Sequence, residues 1–235
     1  MKKNIFLLLA LFVLENTSLC AQDLPTANEI TERYFKLSGN FSSIANARYE
    51  SVSTVFNGMM MKIQIIKDSI HRMRQSFEFY DSTGSKKLKD LVFIYNRGKA
   101  IVIENGKKSV FTDKKLIEDM ELYSYMFNEL AYRTGKYKLE VEGVEEIDSA
   151  EYYVVKVTHP SGKYFHNYYS KENGLLIYQN NETEKYHFQD YKLVQGYLYP
   201  MTTLTETKQG LIYKLILNGV FINESLKSSL FSTQL

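Results

Sequence analysis

The chain has 235 residues, with 29 Lys+Arg against 27 Asp+Glu; 44% of its residues are apolar and 24% are charged. Those proportions support a sizeable core and exclude gross disorder, and a near-neutral chain with no basic cluster lacks the footprint of a nucleic-acid binder. A single cysteine, Cys20, excludes an internal disulfide and a thiolate metal set.

Cys20 stands at the end of an export signal. Lys2 and Lys3 precede an uncharged apolar run over 5–14, and a polar stretch over 15–18 leads into Leu19-Cys20-Ala21-Gln22. The run is too short to span a bilayer and has the charge layout of a secretory signal. Cleavage after Ala21 leaves a cysteine-free mature chain, 22–235. Lipidation of Cys20 instead anchors the protein to a membrane. A lipidation site takes a large aliphatic residue three before the cysteine and a small one just before it, whereas Thr17 and Leu19 reverse that order. The reading adopted is a soluble exported product with residues 1–21 removed.

The mature part opens with a helix over about 26–38. Thr26 and Glu29 form a capping box, and Ala27, Ile30, Tyr34 and Leu37 recur at helical spacing before Gly39-Asn40 ends the helix. The period then changes to two. Strands are predicted over 44–56, 59–66, 71–80, 91–95, 100–104 and 108–111, with Asn57-Gly58 as the first hairpin turn. Thr112 and Asp113 cap a second helix over about 113–133, whose Leu116, Met120, Tyr123, Phe127 and Leu130 fall on one face. Seven further strands are predicted over 137–145, 151–159, 163–170, 175–180, 184–192, 198–207 and 211–221. No linker or repeat divides them. The fold class is therefore mainly β (α+β): a single incomplete antiparallel β-barrel or strongly curved sheet with two covering helices. Such an architecture encloses an apolar cavity.

Residues that carry chemistry are sparse. His71, His159, His166 and His187 form no pair at metal-ligand spacing, and no phosphate loop or nucleophile elbow is present. His166, His187 and Asp190 stand on strands that can approach each other, but strand histidines are ordinarily solvated. No catalytic residue, cofactor or metal site is assigned. Met59 and Met61 share one face of a strand, and methionine suits an adaptable apolar surface. With Leu116, Met120, Tyr123, Phe127 and Leu130 they are the cavity candidates. A gap-filled core explains the same residues.

Several stretches together resemble a known family: "TANEITERYFKLSGN", "IANARYES", "VFIYNRGKAIVIENGKK", "YYVVKVTHPSGKYFHNYYSKENGLLIYQ", "FQDYKLVQGYLYP" and "GVFINESLKSSLF". In their order they resemble the outer-membrane lipoprotein-sorting carriers, the LolA/LolB-like superfamily, over about 26–231. The resemblance implies a periplasmic, non-catalytic carrier whose incomplete barrel and helical lid receive an acyl chain or a lipoprotein's lipid anchor. It also implies an early-strand arginine that holds the lid, for which Arg48 is the candidate by position, with Arg72 and Arg74 equally available. An envelope protein-interaction module on the same fold is the alternative function, and a hydrolase is a third.

Overall fold

The computed structural model describes residues 24–39, 41–54 and 58–234. The export signal with Cys20, and Asn57 of the first predicted turn, lie outside those residues.

Helix α1 (Ala27–Ser38) is capped as its sequence dictates. The Glu29 amide donates to the Thr26 hydroxyl at 3.2 Å, and the Thr26 amide donates to the Glu29 carboxylate at 2.8 Å. Ala27, Ile30 and Tyr34 are buried as expected, but Phe35 is buried beside them while Leu37 is exposed. The helix ends at Gly39, whose φ of +105° turns the chain against the loop at Gly196. A Cβ at Gly39 would sit 2.9 Å from the Gly196 carbonyl, so the close approach requires glycine. Thr26→Ala is expected to lower stability by about 1 kcal/mol in urea unfolding, the ordinary cost of a lost N-cap.

Thirteen strands follow: β1 (Asn46–Thr54), β2 (Met60–Asp68), β3 (Arg72–Tyr80), β4 (Lys87–Asn96), β5 (Lys99–Glu104), β6 (Lys107–Val110), β7 (Lys138–Ile147), β8 (Ala150–Thr158), β9 (Tyr164–Ser170), β10 (Leu176–Asn180), β11 (Glu184–Val194), β12 (Tyr197–Thr207) and β13 (Ile212–Ile222). All pair antiparallel in one sheet of order β6-β5-β4-β3-β2-β1-β13-β12-β11-β10-β9-β8-β7. The chain thus lays six strands outward from β1, then returns from the far edge until β13 pairs with β1. Strands β6 and β7 remain unpaired edges, and the sheet does not close. A sheet this wide curls because its strands twist. Register shifts at Glu50/Ser51, Phe79/Tyr80, Val141/Gly143 and Leu176/Tyr178 add local bends. The curved antiparallel sheet predicted from the period-two pattern is the observed fold.

The connection from β6 to β7 carries the second predicted helix, and here the structure differs. In place of one helix over 113–133 there are two, α2 (Lys114–Ser124) and α3 (Asn128–Tyr132). Tyr125 and Phe127 between them have extended backbone, with ψ of 142° and 132°. The break turns Tyr125 and Met126 into the core and stacks Phe127 on Phe41 at 4.3 Å between ring centres. A continuous helix holds residues three and four apart on one stripe, and so cannot bury three consecutive side chains. Burying Tyr125, Met126 and the inner part of Phe127 outweighs the few helical hydrogen bonds forgone.

Two large buried clusters join α1 and the α2–α3 segment to the sheet. One brings Ile30, Tyr34, Leu122 and Tyr132 against Val155, Val157 and Tyr169; the other packs Phe35, Phe41 and Met126 against Ala47, Tyr199 and Val220. On the opposite, convex face the C-terminal segment crosses the strands. Arg48 pairs with Glu224 there, Arg72 lies over the Phe231 ring, and the Asn96 amide donates to the Phe231 carbonyl.

Candidate functional site

Cross-strand register defines the concave face. Ala47, Tyr49, Ser51 and Ser53 of β1 align with Lys67, Ile65, Ile63 and Met61 of β2, and these in turn with Met73, Gln75, Phe77 and Phe79 of β3. On the other side, Ser53 aligns with Leu215 of β13, Leu215 with Thr203 of β12, and Thr203 with Phe188 of β11. Toward one end this face is core, under α1, α2 and α3. Toward the other, Met61, Ile63, Phe77, Phe79 and Leu215 are only half-buried and belong to none of the buried clusters. Phe77 meets the Phe93 ring edge-on at 6.0 Å; beyond that contact the five large apolar side chains line a groove rather than a packed core.

Three elements shape it. Helix α1 caps one rim, where the Arg33 guanidinium donates to the Lys171 and Glu172 carbonyls. Helices α2 and α3 roof the gap between the edges β6 and β7. The rim formed by the loops at 159–163, 181–183 and 208–211 carries no helix, and a cavity of about 400 Å³ opens there between Leu122 and Tyr123 of α2 and Phe165, Glu184 and Tyr186 of the sheet. Glu184 accepts hydrogen bonds from the Tyr186 and Tyr213 hydroxyls at this mouth.

The roof is held by few polar contacts, and two involve ionisable groups, the half-buried Lys67 and the buried Glu129. The Lys67 ammonium, on the inner face of β2, donates to the Tyr125 carbonyl at 2.9 Å, at the break between α2 and α3. Burial away from water lowers its pKa to about 8. Glu129 of α3 accepts from the Tyr169 hydroxyl at 3.3 Å, and burial raises its pKa to about 7. Beneath it, the Asn167 amide donates to Tyr169 and Tyr132, and Gln179 donates to Asn167. At the ends of the roof, Lys163 pairs with Asp119 and Arg133 with Glu32.

The sequence candidates distribute as follows. Met61 stands on the groove wall and Met59 is half-buried just before β2. Met120 is buried against Met73, Tyr95 and Ala100, whereas Leu116 and Tyr123 are 37% and 54% exposed. Phe127 and Leu130 are half-buried and pack against both large clusters. Arg48 points to the convex face. It contacts Glu50, Glu224 and the Phe221 ring, which are partners on β1, β13 and the C-terminal segment and not on the roof. The early-strand cation that reaches the roof, at its break, is Lys67. Its signal in the sequence is a charge at the fourth place of the inner-face series Met61, Ile63, Ile65, Lys67. Glu129 carries no such signal, because a glutamate in a helix reads as a solvated side chain.

His166 pairs with Glu142 at 3.0 Å, and His187 lies against the Tyr178 ring at 4.4 Å. Register puts both on the convex face, away from the groove. Among the described residues no group of three His, Cys, Asp or Glu is placed to hold a metal ion, and no helix is long and apolar enough to cross a membrane.

An unclosed, curled antiparallel sheet with a helical roof over its inner face is a fold that the chain shares with solved structures. It superposes on a DUF1329 family protein from Desulfovibrio piger with a TM-score of 0.62 at 12% identity, covering 88% of this chain and 96% of that one. A LolA superfamily protein from Nitrosomonas europaea gives 0.58 at 11% identity, with 89% and 99% covered. A protein domain assigned to outer membrane lipoprotein sorting, from Vibrio parahaemolyticus, gives 0.59 at 12% identity, with 86% and 94% covered. At these identities the likeness is one of fold. No protein-family model matches the chain, and no curated protein matches its sequence.

Proposed function

We propose that this protein is an exported, periplasmic carrier that shelters an acyl chain or a lipoprotein's lipid anchor without catalysis. The observation that carries the reading is the groove, whose half-buried Met61, Ile63, Phe77, Phe79 and Leu215 face inward beside a roof held by few contacts. Each methylene moved from water onto such a wall contributes about 0.8 kcal/mol, so a few acyl carbons supply useful affinity. The open rim beside Tyr123 and Tyr186 is the route in, and the α2–α3 segment is the part that must yield. The fold shared with lipoprotein-sorting domains supports the same ligand class. Titration of the protein with a fluorescent long-chain fatty-acyl probe tests it. Saturable binding displaced by unlabelled fatty acid is expected, and a signal that never saturates counts against the groove as a site.

A further inference from the structure

The convex face carries a second cavity, of about 530 Å³, between the first three strands and the C-terminal segment. Its wall is a grid set by register: Glu50 and Val52 on β1, Gln64 and Lys62 on β2, Arg74, Ser76 and Glu78 on β3. Asn218 and Leu230 close it from β13 and the C-terminal segment.

The grid holds two carboxylates and two cations, and they are unequally partnered. Glu50 is occupied by Arg48 and by the Gln64 amide at 3.3 Å. Glu78 is occupied by Lys87 at 2.8 Å and the Tyr80 hydroxyl at 2.7 Å. Both carboxylates therefore take their hydrogen bonds from groups other than the cavity's two cations, while Lys62, opposite Glu78 in register, also acts on it through charge. Arg74 is half-buried and has no ion pair or side-chain hydrogen bond among the described residues, and the one influence on its titration is burial, which disfavours the charged form. Lys62 lies over the Tyr80 ring at 4.7 Å and forms no ion pair among the described residues. A guanidinium partly removed from water and left without an acceptor costs free energy that a bound anion recovers.

We propose that this cavity is a binding site for a carboxylate-bearing ligand, with the Arg74 guanidinium as the fork that receives the carboxylate and Lys62 as a second positive charge. The guanidinium geometry matches a carboxylate bidentately. Ser76 and Asn218 provide neutral hydrogen-bonding groups beside it, and Val52 and Leu230 give the organic part of the ligand an apolar surface. A free organic acid and the terminal carboxylate of a peptide present the same chemistry.

The test follows backbone amide shifts of the ¹⁵N-labelled protein during titration with succinate, with inorganic phosphate, and with a short peptide bearing a free or an amidated C-terminus. Saturable shifts clustered on β2 and β3 are expected with succinate, or with the free-terminus peptide and not its amide, and these two results assign the carboxylate to a small acid or to a peptide. Arg74→Gln is expected to weaken that binding at least about tenfold, equivalent to 1.4 kcal/mol. Arg74→Lys keeps the charge and loses the fork, so it is expected to weaken binding less than Arg74→Gln, and it serves as the probe if the glutamine variant does not fold. Absence of saturable shifts with every carboxylate, tighter binding of phosphate than of any of them, or unchanged affinity in the folded Arg74 variants overturns the proposal. Acyl-probe binding in the concave groove is expected to be unchanged in both variants, so failure here is separable from failure of the carrier reading.

Discussion

Glu129→Gln is expected to remove most of the stability loss between about pH 4.5 and pH 7, and to raise stability at pH 8 by about 3 kcal/mol. The Glu129 carboxyl is buried under α3, and burial lifts its pKa from an ordinary 4.5 to about 7. Between those values the folded protein holds a proton that the unfolded chain has released. Stability from this group is therefore complete below about pH 4.5 and is lost as pH rises through about 7. The groups around it are the hydroxyls of Tyr169, Tyr132, Tyr34 and Tyr191, and no cation pairs with it among the described residues. Glutamine keeps an acceptor for Tyr169 and carries no charge to bury. Lys67 acts in a different window. Its pKa is lowered from 10.5 to about 8, so its contribution grows as pH rises from about 8 toward 10.5 and is absent below. Urea unfolding of both proteins at pH 4.5, 6 and 8 separates these effects. Parallel pH profiles for wild type and variant would place the Glu129 carboxyl in water and end the account of a buried acid under the roof.

Ile63→Glu is expected to weaken acyl-probe binding about 100-fold, or about 2.7 kcal/mol. Ile63 sits between Ser51 and Phe77 on the concave wall and is half-buried there. An ionised carboxylate at that place must be desolvated by any acyl chain laid over it, and nothing near it on the wall repays the cost. The empty groove leaves the new side chain solvated, so the protein is expected to fold with unchanged circular dichroism. Ile216→Glu is the matched control. Ile216 pairs with Val52 on the convex face and is already exposed, so its substitution is expected to leave binding within a factor of about two, as surface changes do. Equal losses in the two variants would refute a groove on the concave side.

The elements were legible in the sequence because each rests on local chemistry. Thirteen strands were readable from period-two runs and turn residues, and the observed sheet has thirteen. The capping box at Thr26 and Glu29 needs no tertiary contact to be recognised, and it forms as written. The same locality explains the errors. Leu116, Met120, Tyr123, Phe127 and Leu130 have an unbroken helical period, yet the chain breaks at Tyr125–Phe127 because the core under the roof takes Tyr125 and Met126 whole and Phe127 in part. Arg48 is on an early strand, as a lid-holding cation requires, but alternation turns it outward to Glu224 and gives the inward place to Lys67.

By itself the sequence determined the number and order of strands, the capped first helix and the antiparallel class, since period, capping and turn chemistry act within a few residues. Only the tertiary structure decided that β13 returns to β1, that β6 and β7 stay open under a broken helix, and which cation reaches that helix. The first of these outcomes depends on pairings between residues more than 150 positions apart, such as Ala47 with Ile222, and the last on the contact of Lys67 with Tyr125, which are 58 positions apart. Their physical reason is burial: an unclosed sheet must cover its inner face, and the roof adopts the conformation that hides Tyr125, Met126 and Glu129 at once.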